Sequence, residues 1–193
     1  MRTHLLYAFG VVCAALVAGC QPSGPDQPHT TLGATTEALR SAFNADSMSV
    51  RVLMLVSPTC GVCLRGAADL QKSLLAAQPD PRLRTYVVWV PMLNGQEKDV
   101  PVATRFVPDE RARHFWDGEG QLMRAYTQTF SLSEPAWDLY LLYAPGTTWD
   151  DELPPMPYFW MHQLGSHDRP RVPGPFLEPG VFADSANRLL SAS

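Results

Sequence analysis

The sequence lacks any excess of positive charge. Its 193 residues carry 15 Lys and Arg against 19 Asp and Glu, a formal net charge of −4 with an isoelectric point near 5.7. A nucleic-acid binder needs a basic patch or stripe, so that class of partner is excluded. No hydrophobic run reaches the roughly 20 residues of a membrane-spanning helix. There is no internal repeat, which argues against solenoids and propellers. Cysteine is scarce: of four in the chain, Cys13 and Cys20 fall in an N-terminal leader. Cys60 and Cys63 are the only candidate pair in the part expected to fold. The length suits one domain plus a leader.

What is present is organised around Thr59-Cys60-Gly61-Val62-Cys63. The apolar run Val52 to Val56 precedes it, and a segment with helical periodicity follows. Two cysteines separated by two residues at a strand-to-helix junction make a redox pair or half of a metal site.

The leader has a short basic start (Arg2, His4) and an apolar stretch from Leu5 to about Val17, too short to span a bilayer. It ends in Val17-Ala18-Gly19-Cys20, which resembles a bacterial lipoprotein box in which the Cys becomes the lipidated first residue. The alternative is an ordinary secretory signal with a chance Cys. The resemblance implies a signal peptide over 1–19, a lipidated Cys20 with a flexible tether over 20–33, and a folded domain over 34–193. Lipid on Cys20 holds a domain at a bilayer without a spanning segment, at the cell envelope on the periplasmic or extracytoplasmic face. Cleavage leaves a charge of −5, since Arg2 is the only formal charge lost from −4. Gln21 resembles the outer-membrane sorting pattern of enteric bacteria.

In the folded part, Thr35 to about Phe43 reads as a short helix, with Leu39 and Phe43 spaced i, i+4. Ser49 to Val56 is a strand whose near-continuous apolar run suits burial on both faces. Pro58 forces Ser57 extended. Gly61 to about Ala77 is helical, with Leu64, Ala67, Leu70 and Leu74 on one face. Arg84 to Met92 is a second buried strand, and the order predicts a βαβ unit with parallel strands. Asn94 to Thr104 reads as loop. Pro108 to Phe130 reads as an insertion with two short helical stretches around Asp117-Gly118-Glu119-Gly120. Trp137 to Tyr143 and Tyr158 to Leu164 predict an antiparallel pair, and Pro179 to Leu190 a closing helix.

This order, with Ser57-Pro58-Thr59-Cys60-Gly61-Val62-Cys63 at its centre, resembles a thioredoxin-like domain over roughly Thr35 to Leu190. The segment Phe115 to Tyr126, followed by Glu134-Pro135 and a strand, resembles what redoxin-type members carry before their cis-proline. The membrane-anchored cytochrome-maturation thioredoxins and the peroxiredoxins share it. The resemblance implies an α/β, three-layer fold with a central mixed sheet and a helical insertion before the cis-proline. It also implies thiol–disulfide exchange at Cys60 and Cys63, with Pro135 as cis-proline beside them (Pro157 is the rival). No cofactor is implied. The expected partners are protein thiols or disulfides, a membrane or periplasmic redox partner, and the lipid bilayer through Cys20. Three positions depart from the family. Thr59 stands where Trp usually precedes the first Cys, Met54 where thioredoxins carry a buried acid, and Glu134 ahead of the presumed cis-proline.

A thiolate is the nucleophile in disulfide exchange, and a free thiol titrates near 8.5. Cys60 at a helix N-terminus meets unpaired N–H groups and the positive end of the dipole. Cys63, nearly one turn on, is placed to resolve a mixed disulfide. Gly61-Val62 between them predicts an intermediate potential. A purely structural bridge over so short a loop constrains little of the unfolded chain.

Other readings use the same cysteines. Cys60, Cys63 and a histidine, His162 before His114, form a set suited to copper or zinc. Related copper-handling lipoproteins use two cysteines and a distant His on this fold, with the cysteines one residue wider apart. A non-catalytic partner-binding module is a further alternative. Ser57-x-x-Cys60 fits the Ser-x-x-Cys of peroxiredoxins, but Leu53 stands where their Pro is expected. Glu134 is expected to stand near the thiols or, more simply, as an exposed loop residue. Trp149, in a polar loop, is expected to be exposed.

Overall fold

The computed structural model describes residues 24–192. The leader and Cys20, with the signal peptide and lipidation expected there, lie outside them. Six strands form one sheet: β1 (His29–Thr31), β2 (Val50–Val56), β3 (Leu83–Trp89), β4 (Ala112–Trp116), β5 (Leu139–Tyr143) and β6 (Phe159–His162). Their spatial order is β1-β4-β3-β2-β5-β6. β1 to β4 run parallel, while β5 is antiparallel to both β2 and β6. The fold is α/β, with a mixed central sheet between two helical layers.

β2 is central and every residue in it is buried, which explains its unbroken apolar run. Alternation along the strand divides the core. Val52, Met54 and Val56 face one layer. There they meet α2 (Gly61–Leu70), its π-helical extension Gln71–Leu75, and α5 (Pro179–Ala192). Leu53 and Leu55 face the other layer, with α1 (Glu37–Ala45) and α4 (Gln121–Thr129). Arg51 is fully buried in β2, where its guanidinium lies 4.1 Å from the Phe43 ring centroid. It donates to the carbonyls of Phe43 and Ala144, each at 3.0 Å, and of Ser49 at 3.3 Å, so each guanidinium nitrogen has a protein partner.

The structure corrects four expectations. The tether expected over 20–33 is docked for part of its length: β1 pairs with β4, and Gln27 N donates to Thr104 Oγ1 at 2.8 Å. The first stretch of the insertion is a strand, β4, because Phe115 and Trp116 point to opposite core layers before the turn at Asp117. The segment expected as loop over 94–104 contains a short helix, α3 (Val100–Thr104), with Pro101 in its first turn. Trp149 is buried, because Asn44 clamps its backbone in both directions at 2.8 and 3.0 Å and its ring packs edge-on against Phe43.

Gly66 is where α2 comes closest to the sheet. A Cβ there would lie 2.2 Å from both Tyr140 Oη and Gln163 Oε1. Gly66→Ala is therefore expected to destabilise the fold by about 1–3 kcal/mol through overpacking, read as a lower urea midpoint. Gly61→Ala, with nothing within 4 Å of its Cβ, is the control and should stay within about 0.5 kcal/mol of the parent.

Candidate active site

β2 ends at Val56, and Ser57 and Thr59 then fasten the chain to the turn after β3. Ser57 Oγ donates to Met92 O at 2.7 Å and Thr59 Oγ1 to Leu93 O at 3.0 Å. The turn that carries these carbonyls has two residues in left-handed backbone, Leu93 and Asn94, with φ of 53° and 61°. Thr59 thus replaces the expected Trp with a hydroxyl clasp.

Cys60 is the N-cap of α2, with its backbone extended and its sulfur accepting from Cys63 N at 3.2 Å. It is 5% exposed, Cys63 is fully buried, and both are free thiols. Gly61 and Val62 beside them are exposed, as is Leu93. The mouth of the site is therefore small and apolar.

The residue that faces the thiols from the sheet is Asp138, which the sequence reading did not single out. Donor atoms of Cys60, Cys63 and Asp138 all lie within 4.8 Å of one another. Asp138 is 2% exposed and has φ of 51°, immediately before β5. Tyr140, two residues on and on the same face, places its hydroxyl 3.0 Å from Asp138 Oδ1, 2.8 Å from Gln163 Oε1 and 3.4 Å from Cys63 O. Met54 is the cross-strand partner of Tyr140.

The two sulfurs are driven apart in acidity. A hydrogen bond from the Cys63 thiol lowers Cys60 to about 7, against the opposing cost of burial. Burial pushes Cys63 well above the usual thiol range, and its hydrogen bond to Cys60 and the Asp138 charge add to the shift. Burial raises Asp138 to about 6, partly offset by hydrogen bonds from Tyr140 and Cys63. At neutral pH the arrangement therefore offers a nucleophilic sulfur at the mouth, a protonated sulfur beneath it, and a carboxylate able to take that proton.

Two expected site residues are placed elsewhere. Pro135 is exposed, and all peptide bonds among the described residues are trans, those before Pro135 and Pro157 included. The backbone reversal that aims a group at the thiols comes instead at Asp138. Glu134 pairs with Arg171. His162 is not part of the cysteine cluster. Met161 faces the layer of α2, so His162, the next residue in β6, points to the opposite face. There its Nδ1 accepts from Leu164 N at 3.0 Å and its Nε2 lies 3.2 Å from Gly174 O. His114 is likewise engaged at both nitrogens, by Trp89 Nε1 at 3.3 Å and Val107 O at 3.1 Å. Burial lowers it to about 4.

Two measurements test these electrostatics in chelator-treated buffer. Alkylation of Cys60 by iodoacetamide should rise with a midpoint at about pH 7, with Cys63 unreactive over the same range. Asp138→Asn should lower that midpoint by removing a nearby negative charge; an unchanged midpoint would disconnect the carboxyl from the thiols. The second concerns stability. The folded-state value of Asp138, about 6, lies above the roughly 3.9 of an unfolded carboxyl. The stabilisation from its bound proton is full below about pH 4 and lost as pH rises through 6. Asp138→Asn should gain on the order of 2–3 kcal/mol relative to wild type between pH 4 and pH 8, read by urea denaturation at each pH.

No protein-family model matches the chain, and no curated protein sequence is similar to it. Two solved structures are similar at low identity. One is a secreted Mycobacterium tuberculosis disulfide oxidoreductase homologous to E. coli DsbE, with 12% identity over 74% of this chain and 85% of that one and a TM-score of 0.46. The other is the pneumococcal exposed lipoprotein thioredoxin Etrx1 from Streptococcus pneumoniae strain TIGR4, with 14% identity over 75% of this chain and 88% of that one and a TM-score of 0.43.

Proposed function

We infer that the chain is a thiol–disulfide oxidoreductase of the bacterial cell envelope, exported by its leader and held at a bilayer by lipid on Cys20. The observation that carries the catalytic part is geometric: Cys60 caps α2 with its sulfur accepting from Cys63 N at 3.2 Å, Cys63 is fully buried behind it, and a carboxylate oxygen of Asp138 lies within 4.8 Å of both sulfurs. The export and anchoring rest on the leader sequence.

In the reducing direction, the Cys60 thiolate attacks one sulfur of a partner's disulfide. The partner's S–S bond breaks, and its second sulfur leaves as a thiolate that takes a proton from solvent. Cys60 is then neutral, joined to the partner, and no longer attracts the Cys63 proton. That proton passes to Asp138, and the Cys63 thiolate attacks the Cys60 sulfur. The mixed disulfide breaks, the partner's first sulfur leaves as a thiolate, and it is protonated in turn. The partner gains two electrons and Cys60–Cys63 is left oxidised. The reverse sequence oxidises a partner dithiol, and the direction follows the relative potentials of the two pairs. Tyr140 holds the carboxyl in place through its hydroxyl, which lies 3.0 Å from Asp138 Oδ1 and 2.8 Å from Gln163 Oε1. The partners are protein thiols or disulfides, with a periplasmic or membrane redox partner returning the pair to its starting state.

A redox titration of Cys60–Cys63 in thiol buffers, with insulin reduction assayed alongside, tests the reading. Wild type should exchange, Cys60→Ser should not, and Cys63→Ser should accumulate a mixed disulfide. A pair that never exchanges with a thiol buffer would sink it. Asp138→Asn should leave formation of the mixed disulfide intact and slow its release on the order of 10²-fold, the usual size of a general-base contribution.

A further inference from the structure

We propose that the reduced site binds one Zn²⁺, with Cys60 Sγ, Cys63 Sγ and a carboxylate oxygen of Asp138 as protein ligands and the fourth tetrahedral position open. The argument is geometric. The three donor atoms lie within 4.8 Å of one another. Zinc–sulfur bonds of about 2.3 Å and zinc–oxygen bonds of about 2.0–2.2 Å separate tetrahedral donors by roughly 3.4–3.8 Å. Small side-chain movements therefore close the site around an ion.

Both cysteines come from the first turn of α2, while Asp138 comes from the far side of the site, at the entry of β5. The ion would thus be gripped by two elements 75 positions apart in sequence. The carboxyl is already oriented: Tyr140 Oη is 3.0 Å from Oδ1 and is itself 2.8 Å from Gln163 Oε1, an outer shell of the kind that fixes metal-binding carboxylates. The donor set selects the ion. Two thiolates alone suit Cu(I), but a third, hard oxygen donor with one open position suits Zn²⁺. His162, held on the opposite face of the sheet, takes no part. Zinc occupies both sulfurs and the disulfide removes them, so the zinc-bound and oxidised states exclude each other. The inference needs only the free thiols present in the structure and does not rest on catalytic exchange.

The test uses the full chain, reduced and stripped of metal. Zn²⁺ is titrated against a chromophoric zinc chelator, and Co²⁺ is used as a spectroscopic substitute. Wild type should take up one ion per chain and, with Co²⁺, show thiolate-to-metal charge transfer and tetrahedral d–d bands. Asp138→Asn and Cys60→Ser should each weaken zinc binding at least tenfold, His162→Ala should leave it unchanged, and the oxidised protein should bind none. Absence of stoichiometric uptake by the reduced wild type, or undiminished uptake by Asp138→Asn, overturns the proposal. If Asp138→Asn does not fold, Asp138→Ser takes its place, and a zinc affinity equal to that of wild type in the folded variant overturns the proposal. A redox titration in chelator reports exchange independently, so a protein that exchanges but takes up no zinc fails this proposal alone.

Discussion

A sulfur that is fully buried cannot carry charge unless a neighbour accepts its proton, and this is the constraint on which the site depends. Cys63 meets two acceptors, the Cys60 sulfur and the Asp138 carboxyl. Which of them holds the hydrogen bond is set by the covalent state of Cys60. As a thiolate, Cys60 is charged and draws the proton, which is the largest cause of its own lowered pKa. As half of a mixed disulfide it is neutral, and the carboxylate is left as the stronger acceptor. In the proposed exchange one buried proton would serve both steps, first making the nucleophile and then being surrendered to make the resolving thiolate.

The fold holds these groups in place with few parts. β2 delivers the cysteines to the N-terminus of α2, and β5, antiparallel beside it, delivers Asp138 and Tyr140 from the opposite direction. The two groups meet on the thiol side of the sheet, with Tyr140 Oη 3.0 Å from Asp138 Oδ1. The entry of β5 therefore places a carboxyl beside the two thiols.

Much of this was legible in the residues. The unbroken apolar run of β2, the i, i+3, i+4 spacing after Cys63 and the apolar pair around Ala144-Pro145-Gly146 each point to one element, and those elements formed as expected. The strand β4 was not legible: Ala112 to Trp116 is short, contains Arg113 and His114, and has its strand character imposed by pairing with β1 and β3. Asp138 was missed for a related reason. In Trp137-Asp138-Leu139 it reads as a polar residue at the end of a strand, an unremarkable place for an acid. The available signal was its parity with Tyr140, which puts a carboxyl on a face otherwise given to core. Pro135 was chosen because proline before a strand carries a family association, while the positive φ that turns the chain belongs to an aspartate, which sequence alone does not announce. His162 was excluded by one residue of register, since Met161 faces the thiol layer and it does not.

Gly66 has a consequence for how such a site can be altered. The helix bearing both cysteines rests on Tyr140 and Gln163 through the absence of a side chain, with a Cβ there falling 2.2 Å from their oxygens. Any larger residue lifts the helix or displaces the two groups that orient Asp138, so redox poise and proton acceptance cannot be tuned separately from that position. Val62 and Thr59 at the open mouth are free of this restriction. An engineer seeking a different potential would have room to work at the entrance and none at the floor.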